Sequence, residues 1–224
     1  MATLKVSILV PVFNEVESIR PVVELLLDLP INKELIIVDD CSTDGSSEVV
    51  ASLECDGVRV CRHMHNLGKG AAIRTGLDIA TGDVVVIQDA DLEYDPADIP
   101  VLLETLQKQS VRVVYGYRDL SQQRFVVRWG NSFLTLITNL LFNGRLKDME
   151  SCYKMLTLEL ARSLNLRSVR FEIEAEITAK LLKRREAIVQ VPIKYVPRVQ
   201  KKKLVPFKDG PQGLWALIRF RFTD

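Results

Sequence analysis

Several absences narrow the chemistry open to this chain. No apolar run in its 224 residues reaches the 18 or more of a membrane-spanning helix, which argues against a chain that crosses a bilayer. Only two histidines are present, His63 and His65, so a histidine-based triad would have to draw on one of that close pair. The four cysteines, Cys41, Cys55, Cys61 and Cys152, follow no disulfide framework and read as free thiols in a reducing cytosol. Cys61, His63 and His65 alternate near Cys55, but the spacing matches no closed zinc pattern. The formal net charge of +1 gives no electrostatic reason to expect a general nucleic-acid binder. Residues 1–12 carry one lysine and no small-residue cleavage site, so no secretory signal is expected. A phosphate loop of the form G-x-x-x-x-G-K-[ST] is missing, although NLGKG at residues 66–70 precedes a helix start, a place that favours anions. With 47% apolar residues, no repeat and no linker, residues 1–224 are expected to form one domain.

What is present centres on residues 82–95, GDVVVIQDADLEYD. Val84, Val85, Val86 and Ile87 are a short β-branched run, as in a strand buried on both faces. Asp89 and Asp91 follow its end, where ligands bind in an open α/β sheet. Two carboxylates one residue apart can share a hard cation, and Glu93 and Asp95 extend the acidic rim.

Other segments repeat this design. Strands are expected at residues 5–13 with Pro11 marking the end, at 34–38, at 58–61 and at 111–117. Helices are expected between them: one after Ser18 as N-cap, one at 71–80 closed by Gly82 at its C′ position, and one from Pro96 to about residue 107. Ser42, Thr43, Asp44 and Gly45 form a turn suited to capping a further helix. This alternation predicts an α/β fold, a single Rossmann-like domain with a mostly parallel central sheet and helices on both faces. Polar residues end the strands: Asn14 and Glu15, Asp39 and Asp40, Asp89 and Asp91, Arg118 and Asp119. Gathered on one sheet edge, they define a cleft in which Asp91 could seat a divalent metal and Arg118 and Arg198 could clamp a diphosphate.

The second half reads differently. Residues 125–142 mix Arg128, after Arg124, with the apolar FLTLITNLLF. Residues 171–182 read as a charged helix, and 187–196 as a strand. A basic run with Arg198, Lys201, Lys202, Lys203 and Lys208 precedes an amphipathic helix at 214–222. Basic residues beside apolar ones suit an anionic membrane surface or a phosphate-bearing substrate, whereas a core helix and a solvated loop explain the same residues without either.

PVFNE at residues 11–15, IIVDDCSTDGS at 36–46, NLGKGAAIRTG at 66–76 and GDVVVIQDADLEYDP at 82–96 resemble the family 2 glycosyltransferases of GT-A fold. DMESCYKM at 148–155, FEIEAEI at 171–177, VPIKYVPR and KKKLVPFKDG resemble the branch of dolichol-phosphate mannose synthases and polyprenyl-phosphate glucosyltransferases. The resemblance implies a nucleotide-binding half at 1–120, and an acceptor-binding half with a basic loop and helix at 121–224. It implies that Pro11, Phe13, Glu15, Val38 and Asp40 hold the base and ribose of a nucleotide sugar. Asp89, Ala90 and Asp91 become the D-x-D element, with Asp91 and Glu93 as ligands to Mg²⁺ or Mn²⁺. Arg118, Arg128 and Ser132 would meet the acceptor phosphate, Arg198 and Lys203 the donor diphosphate, and Asp148 would be the base or an acceptor-orienting residue.

The implied reaction is an inverting transfer of a hexose from GDP-mannose or UDP-glucose to a polyprenyl phosphate by a cytoplasmic enzyme. It would be peripheral on the cytosolic membrane face, docked directly or through a membrane subunit, and would use no nucleic acid. Two alternatives stay open: a soluble or protein-linked hydroxyl acceptor, and a non-catalytic nucleotide-sugar-binding subunit. VQKKK after Arg198 is shorter than the family's usual loop and lacks its glycine.

Overall fold

The computed structural model describes residues 3–121, 125–197 and 206–223. Its strands are β1 (Val6–Val12), β2 (Lys33–Asp39), β3 (Val58–Arg62), β4 (Val84–Ile87), β5 (Val113–Arg118), β6 (Lys154–Thr157) and β7 (Ile188–Ile193). The helices are α1 (Ile19–Leu27), α2 (Ser46–Ala51), α3 (Lys69–Ile79), α4 (Ile99–Gln109), α5 (Phe125–Phe142), α6 (Leu158–Ser163), α7 (Ile173–Lys183) and α8 (Pro206–Phe222). One seven-stranded sheet runs in the order β3-β2-β1-β4-β6-β5-β7. All neighbours are parallel except β6, which is antiparallel to both β4 and β5. The carboxyl ends of the other strands therefore share one edge with the amino end of β6.

Strand alternation explains the two layers. Val6, Ile8, Val10, Val84 and Val86 pack with α1, α2 and α4 on one face, while Leu9, Val85 and Ile87 join α3 and the later helices on the other. Each such Val, Leu or Ile, fully buried, contributes about 1.5–3 kcal/mol.

The architecture agrees with the sequence reading, and several local features differ. Pro11 does not end β1: it pairs in register with Val38, and the strand continues to Val12. It is tolerated because β4 pairs with β1 only as far as Leu9. Gly82 is not a left-handed cap. Helix α3 stops at Ile79 with Ala80 extended, and a Cβ on Gly82 would lie 2.6 Å from the Lys5 carbonyl oxygen. Close approach of backbone is what that glycine serves. Ser18 precedes α1 without capping it; its hydroxyl donates to Glu15 Oε2 at 3.0 Å. Helix α7 is the expected charged helix, but its acids lie inside: Glu174 and Glu176 are buried along with Ile173, Ile177 and Leu181. Strand β6 has no counterpart in the sequence reading. Helix α8 begins at Pro206, ahead of the expected start at residue 214.

Helix α5 divides the two readings of its apolar run between its faces. Leu134 and Thr138 are buried, while Phe125, Trp129, Phe133, Leu136 and Leu140 are exposed. On α8, which packs against α5, Trp215, Ile218 and Phe222 are exposed as well. Among the described residues, no helix is long and apolar enough to cross a membrane.

Candidate active site

The site lies along the shared sheet edge. Left-handed turns follow three of the strands, at Asn14 after β1, Cys41 after β2 and Leu92 after β4. None is glycine, and such conformations persist where surrounding structure enforces them. Here hydrogen bonds lace the first two turns together. Asn14 N donates to Ser42 Oγ at 2.9 Å, Thr43 N to Asn14 Oδ1 at 2.8 Å, and Glu15 N to Ser46 Oγ at 2.7 Å.

Asp40, just past β2, organises the next loop. Its carboxylate accepts from Leu67 N and Gly68 N at 2.8 and 2.7 Å, and meets His63 Nδ1 at 2.7 Å. Gly68 has φ +97°, and a Cβ there would meet the Val169 carbonyl oxygen at 2.3 Å. The glycines of residues 66–70 thus serve packing against residues 168–170, and Ala71 N donates to Val169 O at 3.1 Å.

That packing aims Lys69 into the site. Its ammonium lies 2.7 Å from Asp89 Oδ1 and 3.2 Å from Glu174 Oε1. Glu174 also pairs with Lys154 at 2.6 Å, and the fully buried Lys154 stacks over the Tyr115 ring at 5.2 Å. Burial disfavours charge on Lys69, but Asp89 and Glu174 outweigh it and raise its pKa. A chain of alternating charge therefore runs from Lys154 through Glu174 and Lys69 to Asp89.

The acidic turn concentrates negative charge. Asp91 is pushed up to about 7, first by burial and then by Asp89 and Glu93, with Glu15 adding to the effect. Glu93 N donates to Asp91 Oδ1 at 3.1 Å, and the Glu93 carboxylate accepts from Tyr195 Oη at 2.6 Å. Among the described residues, no three His, Cys, Asp or Glu side chains form a ready-made metal cage. A divalent ion that takes one or two carboxylates and completes its shell with phosphate oxygens and water does not need one. Crowded oxygen donors that oppose one another's ionisation suit a hard cation, so the residues present fit Mg²⁺ or Mn²⁺ at Asp91, with Glu93 alongside.

Across the cleft, Arg118 ends β5 and Asp148 leads toward β6. Arg118 Nε and Nη2 donate to the two Asp148 oxygens at 2.7 and 3.0 Å, and backbone N–H groups of Arg118 and Glu150 add bonds of 3.2 and 3.1 Å. Both side chains are buried. Every acceptor direction of Asp148 is thus engaged. Glu150 stands beside the pair; burial lifts its pKa to about 7 against the pull of Lys154.

A model of the family described as glycosyl transferase family 2 matches residues 7–169. The chain belongs to that family. It is similar to the dodecaprenyl-phosphate galacturonate synthase of Rhizobium johnstonii, with 34% identity over 123 residues, 52% of this chain and 36% of that protein. It is also similar to the dolichol-phosphate mannosyltransferase of Pyrococcus furiosus, with 28% identity over 203 residues, 86% of this chain and 56% of that protein. The chain thus spans from about a third to just over half of these relatives. In fold it matches glucosyl-3-phosphoglycerate synthase of Mycobacterium tuberculosis, solved with Mn²⁺, uridine diphosphate and phosphoglyceric acid. That match has a TM-score of 0.76 and 21% identity, and covers 99% of this chain and 80% of that one.

Within this member of the family, the fold brings Glu15, Asp89, Ala90, Asp91 and Glu93 to one rim, with Pro11, Phe13, Val38 and Asp40 at the ends of β1 and β2. Val38, Ala90, Glu15 and Asp40 are buried, the last two holding neighbouring loops. Arg128 and Ser132 are exposed on α5, whereas the side chains of Arg118 and Asp148 are buried. Arg198 and Lys203, with Arg124, Lys201 and Lys202, lie outside the described residues. Residues missed in the sequence include Glu174, Lys154 and Tyr195; Lys69 was legible only as a poor phosphate loop. Tyr195 stands two residues past β7 on the same sheet edge, a placement that strand-end reasoning could have found.

Proposed function

We propose that the chain is an inverting glycosyltransferase that moves a hexose from a nucleoside-diphosphate sugar to a polyprenyl phosphate. The observation that carries this reading is the state of Asp148. A hydroxyl acceptor needs a base to take its proton, and Asp148 is bound at both oxygens by Arg118 and capped by two backbone N–H groups. A phosphate acceptor is already ionised near neutral pH and needs none. Asp148 then orients Arg118, and Arg118 with Arg128 and Ser132 receives the acceptor phosphate. The acceptor oxygen attacks C1 of the sugar as the diphosphate leaves on the opposite side.

A divalent metal at Asp91 and Glu93 would neutralise the charge that develops on the departing diphosphate. Lys69, held by Asp89 and Glu174, adds a fixed cation at that rim. The relatives' polyprenyl-phosphate names and the exposed aromatic residues Phe125, Trp129, Trp215 and Phe222 support a lipid acceptor and direct contact with a membrane face. GDP-mannose and UDP-glucose are the donors to try first.

The test pairs each donor and Mn²⁺ with three acceptors: polyprenyl phosphate, the matching polyprenol and phosphoglyceric acid. Transfer to polyprenyl phosphate alone is expected. Transfer to either hydroxyl acceptor would overturn the argument from Asp148, and transfer to none would favour a binding subunit.

A further inference from the structure

We propose that Tyr195 is a positioning residue joining the two charged ends of the site, its hydroxyl fixing Glu93 and its ring fixing Arg118. The inference rests on the reading of the acidic turn as the seat of metal and diphosphate. Tyr195 Oη donates to Glu93 Oε2 at 2.6 Å, and the Arg118 guanidinium lies 5.2 Å from the Tyr195 ring centroid. One side chain thus touches both the acidic turn and the Arg118–Asp148 pair.

The backbone around it is sewn to the same turn. Tyr195 forms an antiparallel bridge with Tyr94, and Val196 N donates to Glu93 O at 2.9 Å. Lys194 N donates to Asp98 Oδ2 at 2.7 Å, and its ammonium to Asp95 Oδ2 at 3.1 Å. The Tyr94 ring meets the Tyr195 ring edge-on at 5.3 Å, and Tyr94 Oη accepts from Cys152 N at 3.3 Å beside β6. The segment after β7 is therefore a strut between the acidic turn and the approach to β6.

A phenol suits this place for two separable reasons. Glu93 sits among Asp89, Asp91 and Glu15, and a neutral donor lowers the cost of its charge without competing as a cation would. The ring face holds a guanidinium whose Nε and Nη2 already donate to Asp148, leaving its remaining N–H groups for a phosphate. Removing the hydroxyl should loosen Glu93 alone, and removing the ring should free Arg118 as well.

Calorimetry on the full chain, with Mn²⁺ titrated in the presence of UDP or GDP, tests the first half. A hydrogen bond to a charged group is strong enough that Tyr195→Phe should weaken Mn²⁺ binding about tenfold, with an unchanged acceptor KM. Tyr195→Leu should weaken Mn²⁺ similarly and raise the KM for polyprenyl phosphate about tenfold over Tyr195→Phe, in keeping with a partly buried cation–π contact. Mn²⁺ binding in Tyr195→Phe equal to or tighter than wild type would overturn the role of the hydroxyl. Equal acceptor KM in the two variants would overturn the role of the ring. If wild-type protein binds neither nucleotide in a Mn²⁺-dependent way, the reading of the acidic turn fails and Tyr195 falls with it. A wild type that binds, beside unaltered variants, refutes Tyr195 alone.

Discussion

Replacing Asp148 by asparagine separates a structural acid from a chemical base. Asp148 and Arg118 side chains are 2% and 8% exposed and bonded at 2.7 and 3.0 Å. An amide keeps the size but removes the charge and turns one acceptor into a donor facing the guanidinium. Stranding one partner of a buried pair costs about 3–5 kcal/mol. For a chain of this length each kcal/mol lowers the melting temperature by about 2–4 °C, so Asp148→Asn should melt about 6–20 °C lower. Replacing both partners by apolar residues of similar volume is often neutral, so Asp148→Leu with Arg118→Met should recover most of that loss. The double variant should still transfer sugar poorly, since Arg118 is lost from the group that receives the acceptor phosphate and, of its two cations, Arg128 alone remains. Differential scanning calorimetry and an initial-rate assay decide the matter. An Asp148→Asn protein that melts with wild type while losing transfer would refute the structural account and restore Asp148 as a base.

Four further outcomes follow from the charge layout. Asp91→Asn should abolish metal-dependent nucleotide binding by calorimetry, yet raise the melting temperature of metal-free protein near neutral pH because a crowded carboxylate is gone. Burial, joined at Asp91 by Asp89 and Glu93 and opposed at Glu150 by Lys154, lifts both Asp91 and Glu150 to about 7, so the folded state holds these protons more tightly than the unfolded one. Their contribution is present at low pH and lost as pH rises from about 4 to about 7; Mn²⁺ should therefore stabilise the protein more at about pH 8 than at about pH 5.5 in thermal-shift scans. Lys69→Met leaves Asp89 and Glu174 without their shared cation, and should cost about 3 kcal/mol in denaturant unfolding along with weaker nucleotide binding. Anionic vesicles should co-sediment the protein at low salt and release it at high salt, with Trp129→Ala and Trp215→Ala each weakening binding; a protein that stays in the supernatant in every case has no direct membrane contact.

How much of this was legible in the sequence depends on the range of the interactions. The parallel strands announce themselves as β-branched runs, and the acids after β2 and β4 stand where parallel topology puts ligands, so Asp89 and Asp91 could be read without coordinates. Strand β6 could not: only four residues long, it carries Lys154, an expected surface residue, at 0% exposure. Its burial depends on Glu174, twenty residues later in α7, and no local periodicity encodes that pair. The same holds for α7, whose acids look solvated until Lys69, Lys154 and the N–H groups of residues 167 and 168 are brought to them. Charges that are paired in the fold read as surface charges in the chain.

That limit bears on the chemistry. A motif reading treats Asp148, Arg118 and Asp91 as separate reagents, each with a role of its own. In the fold, Arg118 and Asp148 neutralise each other, Lys69 offsets Asp89 and Glu174, and Asp91 stands buried among Asp89, Glu93 and Glu15, which together hold its pKa up at about 7. That crowding lies at the rim after β4. A substrate that brings its own phosphates there adds negative charge beside a carboxylate already crowded by its neighbours, and a cation that binds with it lowers the cost of both. Donor binding and metal binding should therefore depend on each other, with neither saturating readily alone.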